Sequence, residues 1–386
     1  MILNSKRYYS LDVFRGATVA LMILVNNPGT WGHIFSPLEH AKWQGCTPTD
    51  LVFPFFLFAV GNAMSFVIPK LKTDDSFIFW KKTIKRTLLI FAIGLFLNWS
   101  PFIKWVNESI EFKLWENVRI LGVLQRIAIA YFFAMIICFF LKKKKIIIVS
   151  ILILLIYWIL NIVFGNSIDP YSLSGYFGTQ VDIKVLGLSH IYKGEGVPFD
   201  PEGLISAIPA IIQICIGFLV GNFIIEKGKS FEMLSKLFVA GIILIVFGLL
   251  WDLEFPINKK IWSSSYVLYT SGLAILTIGF MIYFIEFKNQ KNTITRFFDV
   301  FGKNPLFIFV LSGFLPRVSA MFRWVKDIDE LGNKHYTSFF PWFYETVCKP
   351  VSSDLRIGSL LYAIIIIIFY WVIAYLLNKK KIYIKV

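Results

Sequence analysis

Long apolar runs alternate with short polar breaks along the whole chain. A helix crossing the hydrocarbon core of a bilayer needs about 20 mostly apolar residues. Runs of that kind lie at 11–27, 50–69, 83–98, 118–141, 146–164, 203–225, 233–251, 264–286, 296–315 and 357–377. Only helices and closed barrels satisfy their backbone in lipid, and these runs have helical length. The pattern predicts an all-α, polytopic integral membrane bundle of about ten transmembrane helices. The third run is short and leaves room for an earlier start. The clearest divider is the four-lysine stretch 142–145, which separates two runs that would otherwise merge. No internal repeat, low-complexity tract or soluble segment interrupts the pattern, so residues 1–386 read as one transmembrane domain.

Charge adds a direction. One set of connections is short and basic: Lys6 and Arg7; 70–86; 142–145; Lys227, Lys229 and Lys236; Lys288, Lys291 and Arg296; and 379–385. The alternate set, 28–49, 99–117, 165–202, 252–263 and 316–356, is longer and poorer in bases. Short basic loops stay in the cytoplasm. Both termini are therefore expected there, in a multi-pass protein of the cell's inner (cytoplasmic) membrane. The long loops then face the other side, with room for substrate recognition.

Composition agrees: 57% of residues are hydrophobic and 16% charged, where a soluble domain has about 25% charged. A net charge of +15 in a soluble chain would point to nucleic acid. Here orientation accounts for the bases, and no nucleic-acid partner is expected. Cys46, Cys138, Cys215 and Cys348 form no C-x-x-C pair, so no metal or redox motif is expected. Cys46 and Cys348 both fall in outer segments, a placement that permits a disulfide which no motif supports. No small-residue cleavage site follows the first run, which is expected to remain as a span.

Polar residues inside apolar runs are costly and are functional candidates by default. Asp12 and Arg15 are three apart on one helix face, forming either an interfacial ion pair or a polar mouth on the basic side. Asn26 and Asn27 sit at the other end of that helix, where amides also cap. His33 and His40 lie in the following loop, and Asp50 opens the second run behind capping candidates Thr47 and Thr49. His40 falls between Asn26 and Asp50, at the ends of two neighbouring spans. A neutral imidazole can take a proton from an attacking amine or hydroxyl. A carboxylate can orient the ring, and an amide can hydrogen-bond a carbonyl or its oxyanion.

Further along, Arg119 and Arg126 are seven apart, which puts them on one face of the fourth helix with Gln125 beside them. Arg126 would lie about 10 Å deeper, requiring a carboxylate, a cavity or a bound anion. Gly302, Lys303, Asn304 and Pro305 interrupt the ninth run. This is either a kink with an interfacial lysine or a phosphate-binding break open to the basic side. Asp200 and Glu202 precede the sixth run as caps or substrate groups. Asn258, Trp262, Ser264, Ser265 and Tyr266 mix aromatic and hydroxyl groups, as sugar sites and membrane-interface belts both do.

The run LDVFRG…LMILVNN…HAKWQGCTPTDLVFPFFLFAVG resembles the catalytic membrane domain of the heparan-α-glucosaminide N-acetyltransferase family. The likeness continues through VRILGVLQRIAIAYF, FDPEGLISAIPAI and NKKIWSSSYVLYTSG. It implies a transmembrane acyltransferase that carries acetyl from cytoplasmic acetyl-CoA to a glucosamine amine of a glycan on the far side, and it hints at a homodimer. It also implies that His40 is the active-site histidine and Asn26 the family asparagine. Asp50 joins them as a catalytic candidate. Arg15, Arg119, Gln125, Arg126, Lys303 and Asn304 are candidates for acetyl-CoA. Asp200, Glu202, Asn258, Trp262, Ser264 and Tyr266 are candidates for the acceptor. No metal is implied.

Residues 165–196 show no clear similarity to the long lumenal loop of the lysosomal member, whose additional N-terminal lumenal region and span also have no match here. The acceptor therefore stays open. His40 acts either as general base or as acetyl carrier; the base needs only placement and proton removal. The competing class is a transporter for an amino sugar or cell-wall fragment, which would show paired repeats and broken helices in both halves. The sequence has one clear break.

Overall fold

The computed structural model describes residues 8–384; Lys6, Arg7 and Lys385 of the basic set lie outside the described residues. The chain is mostly helical. In order the helices are α1 (Tyr9–Asn26), α2 (Val52–Leu71), α3 (Ser76–Trp99), α4 (Val123–Phe140), α5 (Lys143–Phe164), α6 (Phe177–Leu186) and α7 (Ala207–Lys227). They continue as α8 (Phe231–Asp252), α9 (Ser264–Ile282), α10 (Thr293–Lys303), α11 (Pro305–Ser319), the short α12 (Phe339–Phe343) and α13 (Leu355–Lys379).

Among the described residues, eight helices are long and apolar enough to cross a membrane: α1, α2 with its leading turn, α4, α5, α7, α8, α9 and α13. A ninth arises if α10 and α11 count as one span, bent by 79° at Asn304. The tenth expected segment is α3. It starts at Ser76, well before the apolar run, and carries Lys81, Lys82, Lys85 and Arg86 in its first half. Those charges make it less apolar than the other spans.

One expectation changes here. Arg119 does not share a helical face with Arg126, because 118–122 is extended and α4 begins only at Val123. The Asn98 side chain on α3 holds that extended segment, donating to Arg119 O at 2.9 Å and Leu121 O at 3.1 Å. The four cysteines are free thiols, so Cys46 and Cys348 are not bonded to each other. The long loops also carry two antiparallel hairpins, Ile103–Val106 with Ser109–Phe112 and Arg323–Ile328 with Lys334–Ser338. They touch through Lys334 Nζ and Glu108 Oε1 at 2.8 Å.

α2 and α7 cross at close range. A Cβ on Gly61 would come 2.0 Å from Ile214 O, and one on Gly217 would come 2.2 Å from Phe58 O. Such backbone-to-backbone approach is the usual route to helix association in lipid, where apolar side chains gain little from meeting each other. The crossing holds the middle of α2, and the candidate site stands at the start of the same helix.

Candidate active site

The sequence TPTD starts α2 with a reciprocal cap. Asp50 N donates to Thr47 O at 2.9 Å, and Thr47 N and Oγ1 each donate to Asp50 Oδ2 at 3.0 Å. Ala41 N donates to the same oxygen at 3.0 Å. The other oxygen, Oδ1, lies 2.7 Å from Nδ1 of His40. The Asp50 side chain is 1% exposed and that of His40 is 40% exposed. A buried carboxylate with three donors on one oxygen is thus aimed by its second oxygen at a ring that faces open space. From α9, the hydroxyl of Tyr266 donates to Asp50 O at 2.6 Å and anchors the backbone beneath.

That space is a cavity of about 310 Å³ between the ends of α1, α2 and α4, Phe309 within α11 and the long loops. Asn26, His40, Asp50, Arg119, Glu202 and Trp262 line it, with Trp43, Tyr192, Glu195, Lys259 and Lys260. Its deeper walls are apolar: Met22, Val25, Phe53, Phe56, Ile127 and Phe309. Phe56 is eight residues into the second span, about 12 Å deep at 1.5 Å per residue. The walls suit an acyl group and an uncharged arm, and the polar mouth suits a hydrated acceptor.

The mouth is built from ion pairs. Arg119 grips Asp200 with two bonds, Nε to Oδ2 at 3.0 Å and Nη2 to Oδ1 at 2.6 Å, and also donates to Glu202. Burial opposes its charge, but Glu202 and Asp200 hold its pKa above the ordinary arginine value. Its guanidinium lies 4.7 Å from the Tyr192 ring centroid. Lys260 pairs with Glu195 at 2.6 Å.

Lys259 reaches the centre. Its Nζ is 3.0 Å from Nδ1 and 3.3 Å from Nε2 of His40, and 3.5 Å from Asp50 Oδ1. Burial lowers its pKa, while Asp50 and Glu202 oppose that. The loop that carries it is pinned to the His40 loop by a bond from Gly45 N to Ile257 O at 2.7 Å.

Of the other sequence candidates, Trp262 belongs to the wall, and the rest stand behind it or far from it. Asn258 shapes the Lys259 loop, its Oδ1 accepting from Lys260 N at 2.8 Å and Ile261 N at 3.1 Å. Ser264 Oγ donates to Leu154 O at 2.8 Å. Trp262 has φ +52°, an outlier for a bulky side chain. This turn packs its ring 5.0 Å from Phe53, and the Arg126 guanidinium also lies 5.0 Å from it. Arg126 is buried, donates to Ser206 Oγ and meets Gly203 O at 3.4 Å. Gln125 packs on Gly94 of α3. Neither Gln125 nor Arg126 lines the cavity.

Arg15, Lys303 and Asn304 are gathered at the α10–α11 break. Arg15 bonds Asp12 at 3.0 Å and Gly302 O through Nε at 3.0 Å, and Lys303 pairs with Asp299 at 2.8 Å. Asn304 Nδ2 donates to Ile382 O at 3.0 Å and its Oδ1 accepts from Ile384 N at 2.8 Å. None of the three lines the cavity, whose deepest member on α11, Phe309, stands five residues, about 8 Å of helical rise, from Asn304.

Residues 7–248 match the family model described as heparan-alpha-glucosaminide N-acetyltransferase, catalytic. The chain belongs to that family. The human heparan-alpha-glucosaminide N-acetyltransferase is 24% identical over 433 aligned positions, covering 98% of this chain and 60% of the human protein. The mouse protein is 25% identical, covering 99% of this chain and 61% of its own length. The chain thus spans about three-fifths of these relatives. Within the heparan-alpha-glucosaminide N-acetyltransferase match fall Asn26, His40, Asp50, Arg119 and Glu202. Lys259, Lys260 and Trp262 lie beyond its end at 248. Sequence reasoning passed over both lysines, although bases in a loop on the base-poor side run against the charge rule and were the available signal.

Proposed function

We propose that this protein is a transmembrane acetyltransferase of the cytoplasmic membrane, using acetyl-CoA and acylating an amino sugar or related glycan group on the side opposite the basic loops. One observation carries the proposal: a buried, hydrogen-bonded Asp50 presents its second oxygen 2.7 Å from His40 Nδ1 in a cavity wall. That contact directs the Nδ1 proton to the carboxylate and leaves Nε2 as a base. His40 takes the proton of the attacking amine, and the Asn26 amide, at the same cavity, is placed to donate to the carbonyl oxygen as it gains charge. Donor phosphates are held on the basic side near Arg15 and Lys303, exchanging Asp12 and Asp299 for the ligand. The thioester arm crosses the remaining 8 Å or so when Met22, Phe56 and Phe309 move apart.

The test is His40→Ala in purified, detergent-solubilised protein. Thiol release from acetyl-CoA and formation of N-acetylglucosamine are followed together. The expected result is loss of transfer with the size-exclusion profile and thermal midpoint retained. Turnover at the parental rate in that variant overturns the reading.

A further inference from the structure

Lys259 is an expensive residue to hold in a partly buried cavity wall, and a neutralising role explains it poorly. Asp50 already accepts three bonds of 3.0 Å on one oxygen and a contact of 2.7 Å on the other. The lysine is further from that carboxylate, at 3.5 Å, than from either ring nitrogen, at 3.0 and 3.3 Å. Its amine therefore lies against the imidazole between Nδ1 and Nε2. The surrounding turn is built to keep it there, through Asn258 and the Gly45–Ile257 bond. An ammonium in this position can give a proton into the cavity, and the neighbouring ring can replace it.

We propose that Lys259 is the acid of the transfer, protonating the leaving sulfur of an acetyl thioester and recovering its proton from His40. The proposal rests on the acetyl-transfer reading above. An ordinary thiol, with pKa about 8.5, leaves poorly as a bare anion from an apolar pocket, where an uncompensated charge is costly. In the step, the neutral acceptor amine attacks the thioester carbonyl carbon, a C–N bond forms, and the amine proton passes to Nε2 of His40. The tetrahedral centre collapses, the C–S bond breaks, and its electron pair goes to sulfur, which takes a proton from Lys259 Nζ. The His40 imidazolium then passes its proton to the neutral Lys259 amine. Amide and free thiol are released, and both side chains end as they began.

The experiment compares two donors in Lys259→Gln and Lys259→Met. Acetyl-CoA needs its thiolate protonated; the acetyl thioester of thionitrobenzoate releases a stabilised anion that does not. With acetyl-CoA, kcat should fall about 10²–10³-fold, the usual worth of a positioned acid. With the activated donor the loss should stay under about fivefold. Binding of a non-transferable thioether analogue of acetyl-CoA, read by calorimetry, should stay within about threefold of the parent, separating chemistry from binding. Equal losses on both donors, or a binding loss that accounts for the rate loss, overturn the assignment of Lys259 while leaving the acetyltransferase intact. If the unsubstituted protein transfers acetyl from neither donor, the underlying function is what fails. Thermal midpoints are recorded for both variants, and the Met variant serves as the test if the Gln variant does not fold.

Discussion

Replacing Asp50 by Asn keeps the shape of the side chain and removes its charge, and the hydrogen-bond inventory around it decides the outcome. Oδ2 accepts from Ala41 N, Thr47 N and Thr47 Oγ1, each at 3.0 Å, while Oδ1 faces His40 at 2.7 Å. An amide has one accepting oxygen. Turning that oxygen to His40 leaves two backbone donors, Ala41 N and Thr47 N, facing an NH2 group, at about 1–3 kcal/mol for each buried donor left unpaired, while the Thr47 hydroxyl keeps Glu39 O at 2.6 Å. The amide therefore turns its oxygen to the loop and its NH2 to His40. Nδ1 must then accept, the ring proton moves to Nε2, and the base loses its lone pair. In Ser-His-Asp enzymes the corresponding change costs about 10⁴ in kcat. The same mechanism here predicts a loss of about 10³–10⁴, or 4–5.5 kcal/mol at about 1.36 kcal/mol per decade. Folding should lose less, about 1.5–3 kcal/mol for one charge-assisted bond. Thiol release in detergent, with a thermal midpoint on the same sample, separates the two quantities. A folded Asp50→Asn protein within tenfold of the parental kcat would refute the tautomer argument.

Two further outcomes follow from groups away from the ring. Burial chiefly, with Asp200 adding, pushes Asp182 on α6 from 3.8 up to about 7, against the Leu204 N–H and Arg126. Between those values the folded state binds the extra proton, so stability falls as pH rises through the window, by about 1.4 kcal/mol per pH unit at most. Asp182→Asn keeps the acceptor for Leu204 N, at 2.9 Å in the parent. It should raise the thermal midpoint at pH 8, match the parent near pH 4, and flatten the profile between; parallel profiles would contradict the assignment. At the α2–α7 crossing, Gly217→Ala places a methyl group 2.2 Å from Phe58 O. It should cost about 1–3 kcal/mol as the helices separate, and an unchanged midpoint would show that the crossing is slack.

The membrane class, the helical positions and the alternation of basic and base-poor loops were legible along the chain, because lipid imposes length and apolarity on each span independently of its neighbours. The charges that make α3 less apolar than the other spans were also visible as Lys81, Lys82, Lys85 and Arg86. His40 and Asp50 were legible as a pair, since ten residues of loop ending in a capped turn leave them few other places to go. Tertiary structure alone decided the rest. Arg119 and Arg126 look like one helical stripe in sequence, yet Asn98 of α3 holds the first in an extended segment where Asp200 and Glu202 meet it. Lys259 is 219 residues from His40 in sequence, and contacts made only in the folded chain, among them the bond from Gly45 N to Ile257 O and that from the Tyr266 hydroxyl to Asp50 O, bring the two loops together. Periodicity reports which side of a helix is apolar; which loop lies over which helix end depends on how the helices pack, and that information is shared among residues far apart in the chain.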